Sequence, residues 1–296
     1  MLRKFLRPGA IYLNTGHSNW HRRSLLACRD IGPVAVLIHD TIPLDLPESQ
    51  RPGAAKSFEQ KLKLVSAYAT QLFYVSTASQ KAAELHLTRF VRVPPGRTAP
   101  ITIEPPRPDA RDLPPGLPPR APYFVALGTI EPRKDHALLL DIWEQMAQES
   151  AKTDKKPIPE LLILGRRGWK NDAVFQRLDA LRDQPNPNVR ELNGLSDAGV
   201  AALLQGARAL LMPSHAEGFG LPLHEAMALG TPVLACDLEA YKETIGDYAV
   251  YLPKGERYLW RATVEAMAAD PRLGVHPARP PAPWTQHYDA VLSALA

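Results

Sequence analysis

Cysteine is nearly absent. The 296 residues carry two, Cys28 and Cys236, far apart and without CxxC spacing. That argues against a disulfide framework or a cysteine-built zinc cluster and fits a reducing cytoplasm. Long apolar runs are also missing. No stretch of about 18 apolar residues occurs, so no transmembrane helix is expected. Met1 to Ala10 carries charges with no apolar segment behind them, unlike a secretory signal. Charge of one sign is not concentrated: 35 Lys and Arg stand against 31 Asp and Glu, a net +4. There is no dense basic run of the kind that meets nucleic acid, and no nucleic-acid partner is expected. Arg3, Lys4, Arg7, Arg22 and Arg23 form a mildly basic opening, which suits either a solvated terminus or peripheral contact with an anionic membrane surface. No GxGxxG follows an expected strand, which argues against a nicotinamide oxidoreductase. No metal-ligand spacing is present, so no metal is expected.

Proline is abundant instead, with 30 residues, about twice ordinary usage. Many fall between Pro94 and Pro122, a stretch that can sustain neither a helix nor a central strand and reads as a semi-rigid linker. A second proline-rich stretch runs from Pro271 to Pro283. The chain is long enough for about two domains. The prolines divide it into a first domain over 1–93, a linker over 94–121, a second domain over 122–265, and a tail over 266–296 ending in a helix from Trp284 to Leu295.

Apolar runs alternate with helical spacing on both sides of the linker. Before it, strands are expected at Val34–Ile38, Gln71–Val75 and Val91–Val93, with helices at Phe58–Ala69 and Ser79–Leu87. After it, strands are expected at Tyr123–Leu127, Leu161–Leu164, Val189–Leu192, Ala209–Met212 and Pro232–Ala235. Helices fall between them at His136–Met146, Val174–Leu181, Asp197–Gln205 and Leu223–Leu229. Short apolar strands separated by helices predict an α/β fold with parallel sheets. Ligands on such sheets bind beyond the carboxyl ends of the strands.

The most informative strand end is Pro213 to Glu225. Gly218 and Gly220 allow close backbone approach, and Pro222 suits the first turn of a helix. The start of that helix is a seat for a phosphate, with Glu217 before it and Glu225 one turn inside. Carboxylates beside such a seat suit hydroxyls, as on a ribose or a sugar. The alternative is an ordinary strand–helix turn with two surface glutamates.

The Glu-x7-Glu spacing with Gly-Phe-Gly inside it resembles the signature of the retaining glycosyltransferases of family 4, which have the GT-B fold. Tyr123 to Lys134 resembles the opening strand and donor-phosphate loop of that family's second domain, and His39 to Glu48 resembles a segment of its first. The resemblance runs from about Ala10 to Arg261. It implies a GT-B-like chain of two Rossmann-like domains, with a final helix crossing back to the first. It also implies transfer of a sugar, with retention, from a nucleotide-diphosphate sugar to a glycan or lipid-linked acceptor. That sugar nucleotide is a co-substrate, and no cofactor is implied.

Residue by residue, Glu225 matches the glutamate that binds the donor ribose. Glu217 matches the one beside the transferred sugar. Lys134 matches the lysine that neutralises the diphosphate. Arg133 is a weaker candidate, because neighbours on a loop usually point apart. Backbone groups of Gly218, Phe219, Gly220 and Leu221 are expected to touch the sugar and diphosphate. Many relatives have an arginine where this chain has Thr129. His39 matches a histidine near the sugar, with Asp40 as the alternative, and His17 and His21 are candidates for the acceptor side. Arg166 or Arg167 is expected either at phosphate or on an exposed turn. Asn193 and Gly194 are expected by the base, and His215 and His224 in local packing.

About 95 residues precede the linker, and no strand–Gly-Gly–helix opening is present. The first domain is therefore expected to be incomplete. This leaves a second reading beside the cytoplasmic, peripherally membrane-bound transferase: a nucleotide-sugar-binding relative or fragment with impaired turnover.

Overall fold

The computed structural model describes residues 6–18, 20–104, 106–153, 157–184 and 188–295. Arg3 and Lys4 lie outside the described residues. The first domain runs β1 (Tyr12–Asn14), α1 (Arg22–Arg29), β2 (Val34–Ile38), α2 (Ile42–Asp45), α3 (Ala54–Tyr68), β3 (Gln71–Tyr74), α4 (Thr77–Leu87) and β4 (Gly96–Thr98). Its strands form one parallel sheet in the order β1-β2-β3-β4. All five residues of β2 are buried, because both faces of this sheet are covered. Val34, Val36 and Ile38 meet Leu25 of α1 and Phe58, Leu62 and Val65 of α3. Ala35 and Leu37 point the other way, as strand alternation requires. Ser76 caps α4, its Oγ accepting from the Ser79 N–H at 3.0 Å.

The strand expected at Val91–Val93 does not form. Arg92 is held to the end of α3 instead: its carbonyl accepts from Ser66 Oγ at 2.5 Å and its N–H donates back at 3.2 Å. Pro94 and Pro95 have no N–H for a ladder, so pairing begins after them, with Gly96 opposite Leu72. The first domain therefore runs past residue 93, into the stretch expected to be linker. Strand β1 and helices α1 and α2 were not expected from the sequence.

The second domain runs β5 (Tyr123–Leu127), α5 (His136–Thr153), β6 (Glu160–Leu164), α6 (Asp172–Arg182), β7 (Val189–Leu192), α7 (Asp197–Gly206), β8 (Leu210–Met212), α8 (Leu221–Leu229), β9 (Val233–Cys236), α9 (Glu239–Ile245), β10 (Ala249–Leu252) and α10 (Arg257–Ala269). Its sheet is parallel in the order β10-β9-β8-β5-β6-β7. The chain builds outward from β5 through β7, then returns to lay β8 on the other side of β5. The loops after β5 and β8 part at this reversal and leave a crevice, the usual ligand position in open parallel sheets. The elements from α9 to α10 also escaped the sequence reading.

Helix α11 (Trp284–Leu295) crosses back to the first domain, as expected. Its Val291 packs with Ala35, Leu37, Phe73 and Val75 on the second face of the first sheet, and Phe219 reaches the same cluster from the loop after β8. Arg97 of β4 donates to Ser293 Oγ at 2.8 Å. One face of the first sheet is thus buried by parts of the chain that follow the linker. Both cysteines are buried and free. No described helix is long and apolar enough to cross a membrane.

Phe219 is 6% exposed in that shared cluster. Phe219→Ala should lower stability by about 3–5 kcal/mol, the usual range for emptying a buried aromatic site. A shift of the urea unfolding midpoint checks this, and an unchanged midpoint would contradict the packing described.

Candidate active site

The two domains meet at their strand ends. Gly218, after β8, lies against the backbone after β2: a side-chain carbon there would stand 2.1 Å from the His39 carbonyl oxygen. Its own carbonyl accepts from Ser76 Oγ at 2.7 Å, and Ser79 Oγ lies 3.1 Å from it. With Ser76 serving the Gly218 carbonyl, the single Ser79 hydroxyl proton is free for the His39 carbonyl, 2.8 Å away. Two residues on, Gly220 has φ +93° and precedes α8. Tyr241 lies so close that a side chain at 220 would strike its ring. Thus 218 needs glycine for approach and 220 needs it for conformation.

Behind this seam lies a buried ionic cluster. A short 3-10 turn, Pro132–Lys134, follows β5. It aims Arg133 and Lys134 at the same oxygen of Glu217. Arg133 Nη1 is 2.7 Å from Glu217 Oε1, and Lys134 Nζ is in direct contact with it. The expectation that these neighbours point apart is therefore corrected, because the turn is tight and one buried anion attracts both. Arg133 also pairs with Glu131 at 2.7 Å and donates to the Ala216 carbonyl at 2.9 Å. Burial works against the charge of Glu217, but Lys134 and then Arg133 outweigh it and hold its pKa below the ordinary carboxylate value. For Glu131 and for Asp40, which faces the cluster from the first domain, burial dominates and the pKa is raised.

Glu225 sits one turn inside α8, half-buried and away from that cluster. Burial, with a smaller contribution from the negative charge of Asp197, pushes its pKa up to about 7. Glu217 and Glu225 therefore have opposite electrostatics: one is already neutralised by cations, and among the described residues no donor meets the other. A hydroxyl pair would relieve Glu225, since a carboxylate is acceptor-only.

The other expected residues are distributed as follows. Phe219 turns its ring into the interdomain cluster and stacks on His224 at 4.5 Å. His224 is neutral, its pKa lowered to about 4 by burial. Leu221 opens α8 and is 39% exposed. His39 Nε2 lies 2.7 Å from the Thr15 carbonyl, and its N–H donates to His17 Nε2 at 3.0 Å. That binds the loops after β1 and β2 together. His17 is kept neutral, with a pKa near 4, chiefly by burial. His21 is exposed before α1. His215 was expected in local packing; it pairs instead with Asp135 at 2.9 Å, across the loops after β5 and β8. Arg167 is held by Asp179 at 2.7 Å and Glu191 at 2.6 Å, so it belongs to the turn rather than to a phosphate. Arg166, Thr129, Asn193 and Gly194 are exposed at the strand ends.

Glu131, Ser76, Ser79 and the Asp135–His215 pair were not singled out from sequence. Their side chains act across loops from different strands, and nothing in their local spacing marks that. Among the described residues no three His, Cys, Asp or Glu side chains converge closely enough to hold a metal ion.

Comparison with known proteins bears on this geometry. The family model described as glycosyl transferases group 1 matches residues 113–269, more than half of the chain. The chain belongs to this family. The serotype-specific mannosyltransferase WbdA of Escherichia coli is 30% identical over 228 residues, which is 73% of this chain and 27% of that protein. The chain thus spans about a quarter of the length of that curated relative. Among solved structures, sucrose-phosphate synthase from Thermosynechococcus elongatus superposes with a TM-score of 0.67 at 18% identity, over 96% of this chain and 69% of that one. The Anabaena protein HepE in complex with UDP-glucose gives 0.66 at 16% identity, over 93% and 76%. These likenesses establish the GT-B architecture of two parallel-sheet domains for this member of the group 1 glycosyl transferases.

The raised pKa of Glu225 has a consequence for stability. A carboxyl shifted from 4.5 unfolded to about 7 folded binds its proton more tightly in the folded chain. Its contribution is full below pH 4.5 and is lost as pH rises through 7. Glu225→Gln should therefore be more stable than the parent above pH 7, with the gap closing towards pH 4.5. Urea unfolding at both ends of that window measures it. A gap that widens on acidification would refute the assignment.

Proposed function

We propose that the chain acts as a retaining glycosyltransferase, moving a hexose from a nucleotide-diphosphate sugar to a hydroxyl of a glycan or lipid-linked acceptor. The observation that carries this is the convergence of Arg133 and Lys134 on Glu217 at the reversal between β5 and β8, beside the start of α8. WbdA is named a mannosyltransferase, which favours mannose as the hexose. HepE is seen with UDP-glucose, which supports a nucleotide sugar as donor.

In this reading the diphosphate takes over the two cations now held by Glu217. The bond from the anomeric carbon to the phosphate oxygen breaks, and negative charge grows on the diphosphate. Preorganised cations and helix-start N–H groups stabilise that charge. Glu217, released from Lys134, accepts from sugar hydroxyls and offsets the positive charge of an oxocarbenium-like transition state. The acceptor oxygen bonds to the anomeric carbon from the side the diphosphate leaves, and its proton passes to a diphosphate oxygen. Glu225 accepts from the ribose hydroxyls and fixes the donor against α8. His39 acts through its neighbours, holding the first-domain loops that face the sugar. A lipid-linked acceptor would place the chain at the inner face of a membrane, and the exposed Arg22 and Arg23 of α1 suit an anionic surface.

Calorimetric titration with UDP, GDP and ADP tests this. One nucleotide should bind. Glu225→Ala should weaken it by about tenfold or more, the loss of roughly 1.4 kcal/mol of ribose contact. Glu217→Gln should bind the nucleotide at least as tightly as the parent, because a competing anion has gone, yet transfer no sugar. Equal loss of nucleotide affinity in both variants would refute the division of roles.

A further inference from the structure

His215 joins three loops of the second domain through three of its polar groups. Its N–H donates to the Arg133 carbonyl, after β5, at 2.7 Å. Its carbonyl accepts from Lys254 Nζ, after β10, at 2.7 Å. Its ring Nε2 is 2.9 Å from Asp135 Oδ2, and since a carboxylate only accepts, Nε2 carries the hydrogen. His215 lies two residues before Glu217, and Asp135 follows Lys134 directly. The pair thus stands next to both partners of the buried ionic contact without belonging to it. Asp135 is held in an unusual conformation. Its φ is +49°, and it is one of two non-glycine residues with positive φ among the described residues. Such a conformation is uncommon away from glycine and persists where the surroundings over-determine it. Here it ends the turn Pro132–Lys134 and precedes α5. The Asp135 N–H donates to the Pro132 carbonyl at 3.1 Å, and its Oδ1 accepts from the Leu138 N–H at 3.3 Å. This turn lets α5 depart while Lys134 runs back beside Gly128, where a side-chain carbon would stand 3.4 Å from Nζ.

We propose that Asp135 and His215 are positioning residues: they lock the loops after β5 and β8 together, so that Lys134 and Glu217 keep the mutual placement that capture of a diphosphate needs. The proposal rests on the glycosyltransferase reading and adds two residues to its site, neither of which touches the donor in that reading. The contact is a poor source of stability, because the His215 side chain is 41% exposed and ion pairs open to solvent contribute little. Its consequence is geometric. Lys134 is a long, flexible side chain, and it stays aimed only if its backbone root is fixed. In a preorganised site a misplacement of about 1 Å can cost roughly a hundredfold in rate. Asp135 fixes that root from one side, and His215 ties it to the strand end that carries Glu217.

The test compares nucleoside diphosphate with monophosphate on the full chain by calorimetry, with UDP against UMP, GDP against GMP and ADP against AMP. Base and ribose are common to each pair, so the affinity ratio reads the hold of Lys134 and Arg133 on the second phosphate. The parent should prefer one diphosphate over its monophosphate. Asp135→Gly keeps the left-handed backbone and removes only the carboxylate. It and His215→Ala should each lower the ratio by about tenfold and leave monophosphate affinity within about twofold. His215→Gln, whose amide N–H still reaches towards Asp135, should restore most of the ratio. The double variant should lose no more than either single one, as for two residues acting through one contact. The proposal is overturned if Asp135→Gly or His215→Ala leaves the ratio unchanged, if monophosphate affinity falls as far as diphosphate affinity, if the losses simply add, or if His215→Gln behaves as His215→Ala does. A folded parent that binds no nucleotide, or holds no diphosphate better than its monophosphate, overturns instead the glycosyltransferase reading on which the proposal rests.

Discussion

The contact at Gly218 is the constraint on which the site depends. Two parallel sheets present their strand ends to each other, and the backbone after β8 must reach the backbone after β2. Any side chain at 218 would collide with the His39 carbonyl at 2.1 Å. Once the backbones are in contact, the carbonyls of Gly218 and His39 need donors, and Ser76 and Ser79 at the start of α4 supply them. Buried carbonyls without such partners would each be costly. The same closure places Phe219 on the first sheet and brings Asp40 towards Arg133 and Glu217.

The ionic cluster follows from that closure. Arg133 and Lys134 are turned inward by the loop after β5 into a region where an unpaired cation would be strongly destabilising. Glu217 neutralises them. Such a pairing is a weak source of stability in itself, because desolvation offsets most of the attraction. Its value is that the cations stay charged, desolvated and aimed at one point. An anion with more charge and more oxygens than a carboxylate can then compete for them. In the proposed reading that anion is the donor diphosphate.

Much of this was legible in the sequence, and the failures have definite causes. Strands β5 to β9 of the second sheet are short apolar runs between helical segments, and their positions held to within a residue or two. The terminal helix and its crossing to the first domain were also read correctly. The strand misplaced at Val91–Val93 is β-branched and apolar, as a strand should be. What decided against it was a serine on α3 that captured Arg92 and two prolines that delayed the ladder. β1 was missed because three residues carry no period, and it forms only by pairing with β2. At the site, Glu217 was singled out from local pattern and resemblance and Lys134 from resemblance alone, and the structure brings the two into contact. Their contact with Arg133, and the Asp135–His215 and Ser79–Gly218 contacts, join loops from separate strands and leave no trace in local spacing.

The order of the second sheet sets what lies on either side of Glu217. From β8 the strands run through β5 and β6 to β7 in one direction and through β9 to β10 in the other. The candidate donor groups lie along the first direction, with Lys134 after β5, Glu225 on α8, and exposed Asn193 and Gly194 after β7. A cavity of about 180 Å³ lies along the second, bordered by Leu238 and Glu239 after β9. Glu217 stands at the boundary, after β8 itself. On one side it meets two cations; on the other it faces carboxylates and hydroxyls. In the proposed reading a diphosphate is drawn to the first environment.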